Sequence, residues 1–119
     1  MNAPTELKRQ VVDLQCTIKK IKRVAEIIAN YKKKKYKVIV VSSAMGGVTN
    51  ELIKKSSQIS SHFSDSEHDV LVSSGEQIAC SLIAGRLVHK KFKSRSWTSW
   101  QIPIITVGSH KNSRINLIY

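Results

Sequence analysis

Cysteine is scarce in this sequence: Cys16 and Cys80 are the only two in 119 residues, far apart and outside any Cys-x-x-Cys pair. That argues against a disulfide framework or a cysteine-built metal site, and two reduced thiols are the expectation. No apolar run approaches the roughly 20 residues that cross a bilayer. The opening MNAPTELKRQ has no apolar stretch behind its charges, so it does not read as a secretory signal. No internal repeat and no Pro/Gly/Ser-rich linker divides the chain, which points to one domain. A hydrophobic fraction of 41% is enough for an ordered core, so a soluble, cytoplasmic globular protein is expected.

Acidic residues are also few. Eight carboxylates face twenty Lys and Arg, giving a formal net charge of +12. Such a balance invites nucleic acid, because clustered cations attract phosphate. The distribution weakens that reading. The densest block, Lys32–Lys35 with Lys37, lies between a helix pattern and a strand pattern, and Lys19, Lys20, Lys22 and Arg23 share one helix. A solvated lysine-rich surface accounts for both, and nucleic-acid binding is not the expectation. His62, His68, His89 and His110 show no ligand-like spacing and read as surface residues.

What is present is a run of alternating periods. Ile18, Ile21, Ala25 and Ile28 recur at helical spacing, predicting a helix from Ile18 to about Tyr31 with Lys22 and Glu26 as an i,i+4 pair. Val38–Val41 is β-branched without polar alternation, as in a strand buried on both faces. A second helix is predicted from about Asn50 to Ser60, with Leu52, Ile53 and Ile59 apolar and Thr49 or Asn50 as N-cap. Residues 61–67 read as loop. A third helix is predicted from about Asp69 to His89, with an acidic start and basic end that suit its dipole. Gly75 and Gly85 inside it each cost about 1 kcal/mol relative to Ala, which suggests close packing or a ligand nearby. Ser94–Trp97 reads as a short strand, and Ile102–Thr106, interrupted by Pro103, as an edge strand or hairpin arm. The order points to a layered α/β domain.

Three segments have chemical character. The strand–loop–helix at residues 38–52 feeds small residues into a helix N-terminus, where backbone N–H groups approach an anion and Ser43 and Thr49 add hydroxyls. It lacks the Gly-Lys-Ser/Thr ending of a Walker loop, and a plain tight turn explains it equally well. Glu76, in Ser73-Ser74-Gly75-Glu76-Gln77, lines up with Val72, Ala79 and Ile83. A carboxylate in an apolar stripe is costly unless a donor or cation meets it. It either receives an ammonium group or sits at the stripe's edge and reaches water or a lysine. Trp97 and Trp100 read as core anchors at a loop, with stacking on bases as the other use.

Taken together, IKRVAEII at 21–28, VIVVSSAMGGVTNELI at 38–53, VLVSSGEQIA at 70–79 and SWTSWQIPIIT at 96–106 resemble aspartate kinases of the amino-acid kinase family. The pieces occur in the family's order over roughly residues 18–116, and HKNSRI at 110–115 resembles its His-Thr-Lys-Ala-Arg-Ile stretch. The resemblance implies a layered α/β/α fold and a reaction. ATP with Mg2+ would phosphorylate the side-chain carboxylate of L-aspartate, on the route to lysine, threonine and methionine. It also implies roles. Ser43 and Thr49 match hydroxyls lining the aspartate and phosphate site. Ala44, Met45, Gly46 and Gly47 match its backbone donors, and Glu76 matches the carboxylate that holds the substrate's amino group.

The start departs from the family. Its opening strand carries Lys-Phe-Gly-Gly-Thr-Ser, expected here near residues 9–14, where the chain reads Arg9-Gln10-Val11-Val12-Asp13-Leu14. Residues 1–17 therefore read as an atypical N-terminus and 18–119 as a partial kinase domain with an incomplete parallel-type sheet flanked by helices. The family's downstream nucleotide-binding segments do not appear in the sequence. The expectation is a truncated remnant, inactive alone because a missing phosphate clamp costs several powers of ten in rate. The alternatives are half of a split kinase completed by a second chain, a homo-oligomer, or a small basic nucleic-acid-binding module.

Overall fold

A computed structural model of the chain describes residues 18–110 and 112–118. The expectations for residues 9–14 and Cys16 lie outside them. The described elements are α1 (Ile18–Lys33), α2 (Val48–Ile59), α3 (Asp65–His89), β1 (Ile104–Val107) and β2 (Arg114–Ile118).

The core is built where the sequence places helical apolar stripes. Ile21, Val24, Ala25, Ile28 and Ala29 form the buried face of α1. They pack on Ile83 and Leu87 of α3, with Val38, Met45 and Phe92 half-buried against them. Each such aliphatic side chain removed from water contributes about 1.5–3 kcal/mol. On α3, Ala79 and Ile83, from the row that Glu76 shares, are buried, whereas Ile78 and Leu82 are 45% and 39% exposed. In α2, Leu52 is half-buried, but Ile53 and Ile59 face outward. No helix among the described residues is long and apolar enough to cross a membrane.

Both long helices end in the same motif. At α1, the Tyr36 N–H donates to Tyr31 O and the Lys35 N–H to Lys32 O; at α3, Phe92 donates to Leu87 O and Lys91 to Val88 O. These are the paired bonds of a Schellman ending, which places its C′ residue in the left-handed region. That residue is a lysine each time, Lys35 at φ 65 and Lys91 at φ 66. The accompanying apolar contacts are the Tyr31–Tyr36 edge-to-face pair, centroids 5.8 Å apart, and Phe92 against the cluster holding Leu87.

Several local expectations change. α3 starts four residues early because Ser64 caps it, accepting from the Glu67 N–H, with Asp65 and Glu67 in the first turn. Ser64-x-x-Glu67 has the spacing of a capping box, hidden within a segment read as loop. Neither Thr49 nor Asn50 caps α2; Gly47 does, at φ 83 and without a side-chain bond. Glu26 is held not by Lys22 but by Lys90, whose Nζ lies 2.7 and 2.8 Å from the two carboxylate oxygens. Proximity in space outcompetes the weak pairing along one helix face.

The largest change concerns strands. Val38–Val41 forms none: Ile39 is 87% and Val41 94% exposed, and the segment makes no backbone hydrogen bond to another described residue. A β-branched run has no strand to join where no neighbour supplies a ladder. Ser94–Trp97 is likewise irregular. The one sheet among the described residues is the antiparallel hairpin β1–β2, in which Ile104 faces Ile118 and Ile105 faces Leu117, with a bulge before Thr106. The hairpin arm expected at Ile102–Thr106 is therefore present, starting after Pro103. Trp97 and Trp100 are not core anchors: they are 51% and 68% exposed, and the Arg95 guanidinium stacks 4.1 Å over the Trp97 ring. His110 Nδ1 lies against Asp69 Oδ2 and ties the hairpin connection to α3.

Candidate functional site

The candidate site is where the loop before α2 meets the middle of α3. Two features of the sequence force the approach. Gly75 lacks a side chain, and a Cβ built there would lie 3.0 Å from Ala44 Cβ and 3.4 Å from Val48 Cγ1. The helix backbone therefore touches the loop directly. Glu76, the next residue, then has the loop within reach, and its Oε1 accepts from the Ala44 N–H at 3.4 Å. The close packing suggested for Gly75 is thus explained. Gly85 is different, since nothing lies within 4 Å of its Cβ position.

The second Glu76 oxygen decides what the arrangement can do. Oε2 is buried and has no hydrogen-bond partner among the described residues. An unpaired buried carboxylate oxygen is among the costlier features of a fold, roughly 1–3 kcal/mol or more for a charged group. A cation or hydrogen-bond donor at that position would remove the cost. The bland reading of Glu76, an edge residue reaching water or a lysine, finds no such contact among the described residues.

The loop complements this carboxylate with donors. Gly47 turns the chain into α2 in the left-handed region, which a residue without Cβ adopts freely. Because Gly47 brings no capping side chain, the first-turn N–H groups of α2 are not taken by one. The Val48 N–H is satisfied by Met45 O at 3.0 Å, which fixes the curl of Met45, Gly46 and Gly47. Met45 anchors the loop on the α1–α3 core. Thr49 is half-buried in the first turn, and Ser43 is exposed, its Oγ 3.5 Å from Ala44 O. The structure thus brings Ala44 and Glu76 into contact and places Ser43 and Thr49 at the two ends of the same loop. Val48 and Leu52 meet the Gly75 position from α2; in sequence Leu52 was readable only as an apolar helix residue without a partner, and Val48 only as part of the loop. Among the described residues no group of three His, Cys, Asp or Glu is placed to hold a metal ion.

The family model of the amino acid kinase family matches residues 8–118. An aspartokinase of Geobacillus stearothermophilus is 42% identical over 99 residues, covering 83% of this chain and 24% of the relative. An aspartokinase of Rickettsia felis is 40% identical over 104 residues, covering 85% and 26%. Among solved structures, the aspartate kinase of Synechocystis superposes with a TM-score of 0.59 at 34% identity, covering 62% of this chain and 13% of that one. The chain spans about a quarter of the length of the curated relatives it matches. Its helix-rich architecture with a small sheet is an incomplete piece of their α/β fold, and by the family match the chain belongs to the amino acid kinase family.

Proposed function

We propose that this chain carries the amino-acid-binding corner of an aspartate kinase, whose reaction is ATP + L-aspartate to ADP + 4-phospho-L-aspartate. The observation that carries the reading is the buried Oε2 of Glu76, without a hydrogen-bond partner among the described residues, beside a helix α2 whose N-terminus has no side-chain cap. In this reading Glu76 receives the substrate's ammonium. The backbone of Met45, Gly46 and Gly47, joined by the Ala44 N–H once the ligand releases it from Glu76 Oε1, and the hydroxyls of Ser43 and Thr49 receive anionic oxygens of aspartate and of the phosphate in transfer. An ammonium and a carboxylate on one carbon match a site in which one carboxylate lies against a loop of backbone N–H groups.

The chemistry asked of the protein is positioning and charge neutralisation. The side-chain carboxylate of aspartate attacks the γ-phosphorus, and the β–γ bridging oxygen leaves with ADP. Magnesium bound with the nucleotide would supply charge neutralisation at the phosphates. Residues 18–119 are read as the partial kinase domain. The segment leading into the loop is extended but unpaired, so the loop is not held by a sheet as phosphoryl transfer requires. Aspartate binding without turnover is the expected behaviour of the chain alone, in a cytoplasmic biosynthetic setting.

The test is thermal denaturation with L-aspartate or with succinate, which lacks the ammonium. A ligand that binds only the folded state raises the midpoint by mass action. L-Aspartate is expected to raise it and succinate to do so less, with the difference lost in Glu76→Ala. Equal effects of the two ligands, or of wild type and variant, would overturn the reading. An ADP-release assay with ATP and magnesium is expected to show no aspartate-dependent turnover.

A further inference from the structure

One backbone donor of the site loop is already taken in the ligand-free chain. The Ala44 N–H donates to Oε1 of Glu76, the carboxylate whose Oε2 is buried without a hydrogen-bond partner among the described residues. That bond is 3.4 Å long, against about 2.9–3.0 Å for an ordinary N–H···O bond. A further shift of a few tenths of an ångström, to about 3.6 Å, ends it. The main chain on either side does not supply the shift. Gly75 packs the α3 backbone on the loop, and the Val48 N–H bond to Met45 O pins the curl that follows Ala44. The part able to move is the Glu76 side chain, by rotation about its own bonds.

On the aspartate reading above, we infer that the Glu76–Ala44 bond is a latch that makes anion binding at the loop depend on an ammonium group. Without an ammonium, Glu76 occupies the Ala44 donor and sets its own charge against an incoming carboxylate or phosphate. A ligand ammonium at Oε2 draws the carboxylate away, because a hydrogen bond between two charged groups is stronger than a long one to a neutral amide. The freed Ala44 N–H then joins those of Met45, Gly46 and Gly47 in receiving anionic oxygens. The ammonium is thereby read twice, once by contact with Glu76 and once through the donor it releases. The ligand class selected is a zwitterion over a dicarboxylate of the same length that lacks the ammonium. Ala44 becomes specificity-determining through its main chain, and affinity for an anion alone is reduced by the fraction of molecules in which the latch is shut.

The experiment measures binding of succinate and of L-aspartate to wild type, Glu76→Ala and Glu76→Gln by amide resonance titration, with hydrogen exchange at the Ala44 amide. Alanine removes both charge and acceptor, whereas glutamine removes the charge and keeps an acceptor. Glu76→Ala is expected to bind succinate about threefold more tightly than wild type, the factor for a latch shut in two thirds of molecules. Glu76→Gln should fall between them, and aspartate should bind both variants less tightly. In wild type, ethylammonium should speed Ala44 exchange and tighten succinate binding, and tetramethylammonium, which has no N–H donor, should do neither at equal ionic strength. Equal succinate gains in the two variants would reduce the effect to charge repulsion and overturn the latch. No gain, or a loss, in Glu76→Ala would overturn it too, since Glu76 would then hold the loop in its binding shape. So would Ala44 exchange that ignores ethylammonium. Wild type that prefers aspartate to succinate while any of these holds loses the latch alone; absence of that preference overturns the aspartate reading and the latch with it.

Discussion

Ala44 Cβ lies 3.0 Å from where a Cβ on Gly75 would sit, a separation tighter than nine in ten real Cβ contacts. Both are Cβ positions, fixed by the main chain that carries them, so neither can rotate away. The contact makes Gly75 the residue that sets the distance between α3 and the site loop.

Gly75→Ala and Gly85→Ala should therefore move stability in opposite directions. Alanine gains about 1 kcal/mol in helix propensity at either position. At Gly75 that gain is opposed by overpacking of about 1–3 kcal/mol, for a net loss of about 1 kcal/mol. At Gly85 nothing lies within 4 Å, and the gain stands. Urea denaturation of the two variants measures both; stabilisation by both would show that the loop yields freely.

The left-handed lysines offer a second pair of substitutions. A non-glycine residue in that region costs about 1–2 kcal/mol, partly offset by the freedom glycine adds to the unfolded chain. Lys35→Gly and Lys91→Gly should each raise stability by about 0.5–1 kcal/mol, and together they should add, being at different helix ends. A loss in either would mean that the lysine side chain stabilises its helix end by more than the backbone strain costs.

Acid should weaken the α1–α3 junction through Glu26. Its hydrogen bond from Lys90 is the largest influence and lowers its pKa from the usual 4.5; partial burial opposes this, and the charges of Lys90, Arg86 and Lys33 add to the lowering. A carboxylate with a depressed folded pKa stabilises above its unfolded pKa and loses that contribution as pH falls through the folded value. Wild type should melt above Glu26→Gln at pH 6, the gap closing as pH drops below about 4.5, and salt should narrow it because the pair is exposed. A gap independent of pH would show that the carboxylate charge is not what matters.

Glu76 should behave in reverse. With Oε2 buried and unpartnered among the described residues, replacing the carboxylate by the amide of Gln removes a charge that the ligand-free fold does not compensate. Glu76→Gln should be as stable as wild type or more so without ligand, by up to about 2 kcal/mol, while binding aspartate less well. A marked loss of stability in the ligand-free variant would make Glu76 a structural residue.

The legible parts of the sequence were those decided within one turn or one face. The α1 stripe, the stop at His89 and the small-residue loop all follow from local spacing. The anomaly of Glu76 was visible because a carboxylate in an apolar row has few explanations. Three features were not decided by local spacing. Lys90 reaches Glu26 across 64 positions, so the pairing with Lys22 looked sufficient. Val38–Val41 has the composition of a buried strand, but burial is supplied by neighbours, and composition does not report whether they are present. Trp97 and Trp100 have the size of core residues, yet Arg95 stacks on one face of Trp97 and solvent meets much of the rest.

Among the described residues α1 and α2 do not touch; each packs on α3 instead, α2 near Gly75 and α1 near Ile83 and Leu87. Among the described residues the helices are therefore two lobes sharing one axle, and helical continuity between Gly75 and Ile83 is one thing that makes them melt together. Another is the site loop, with Ala44 on one lobe and Met45 on the other. A small ligand closing over that seam acts as a rivet, and its binding should register as tighter coupling between regions it never contacts.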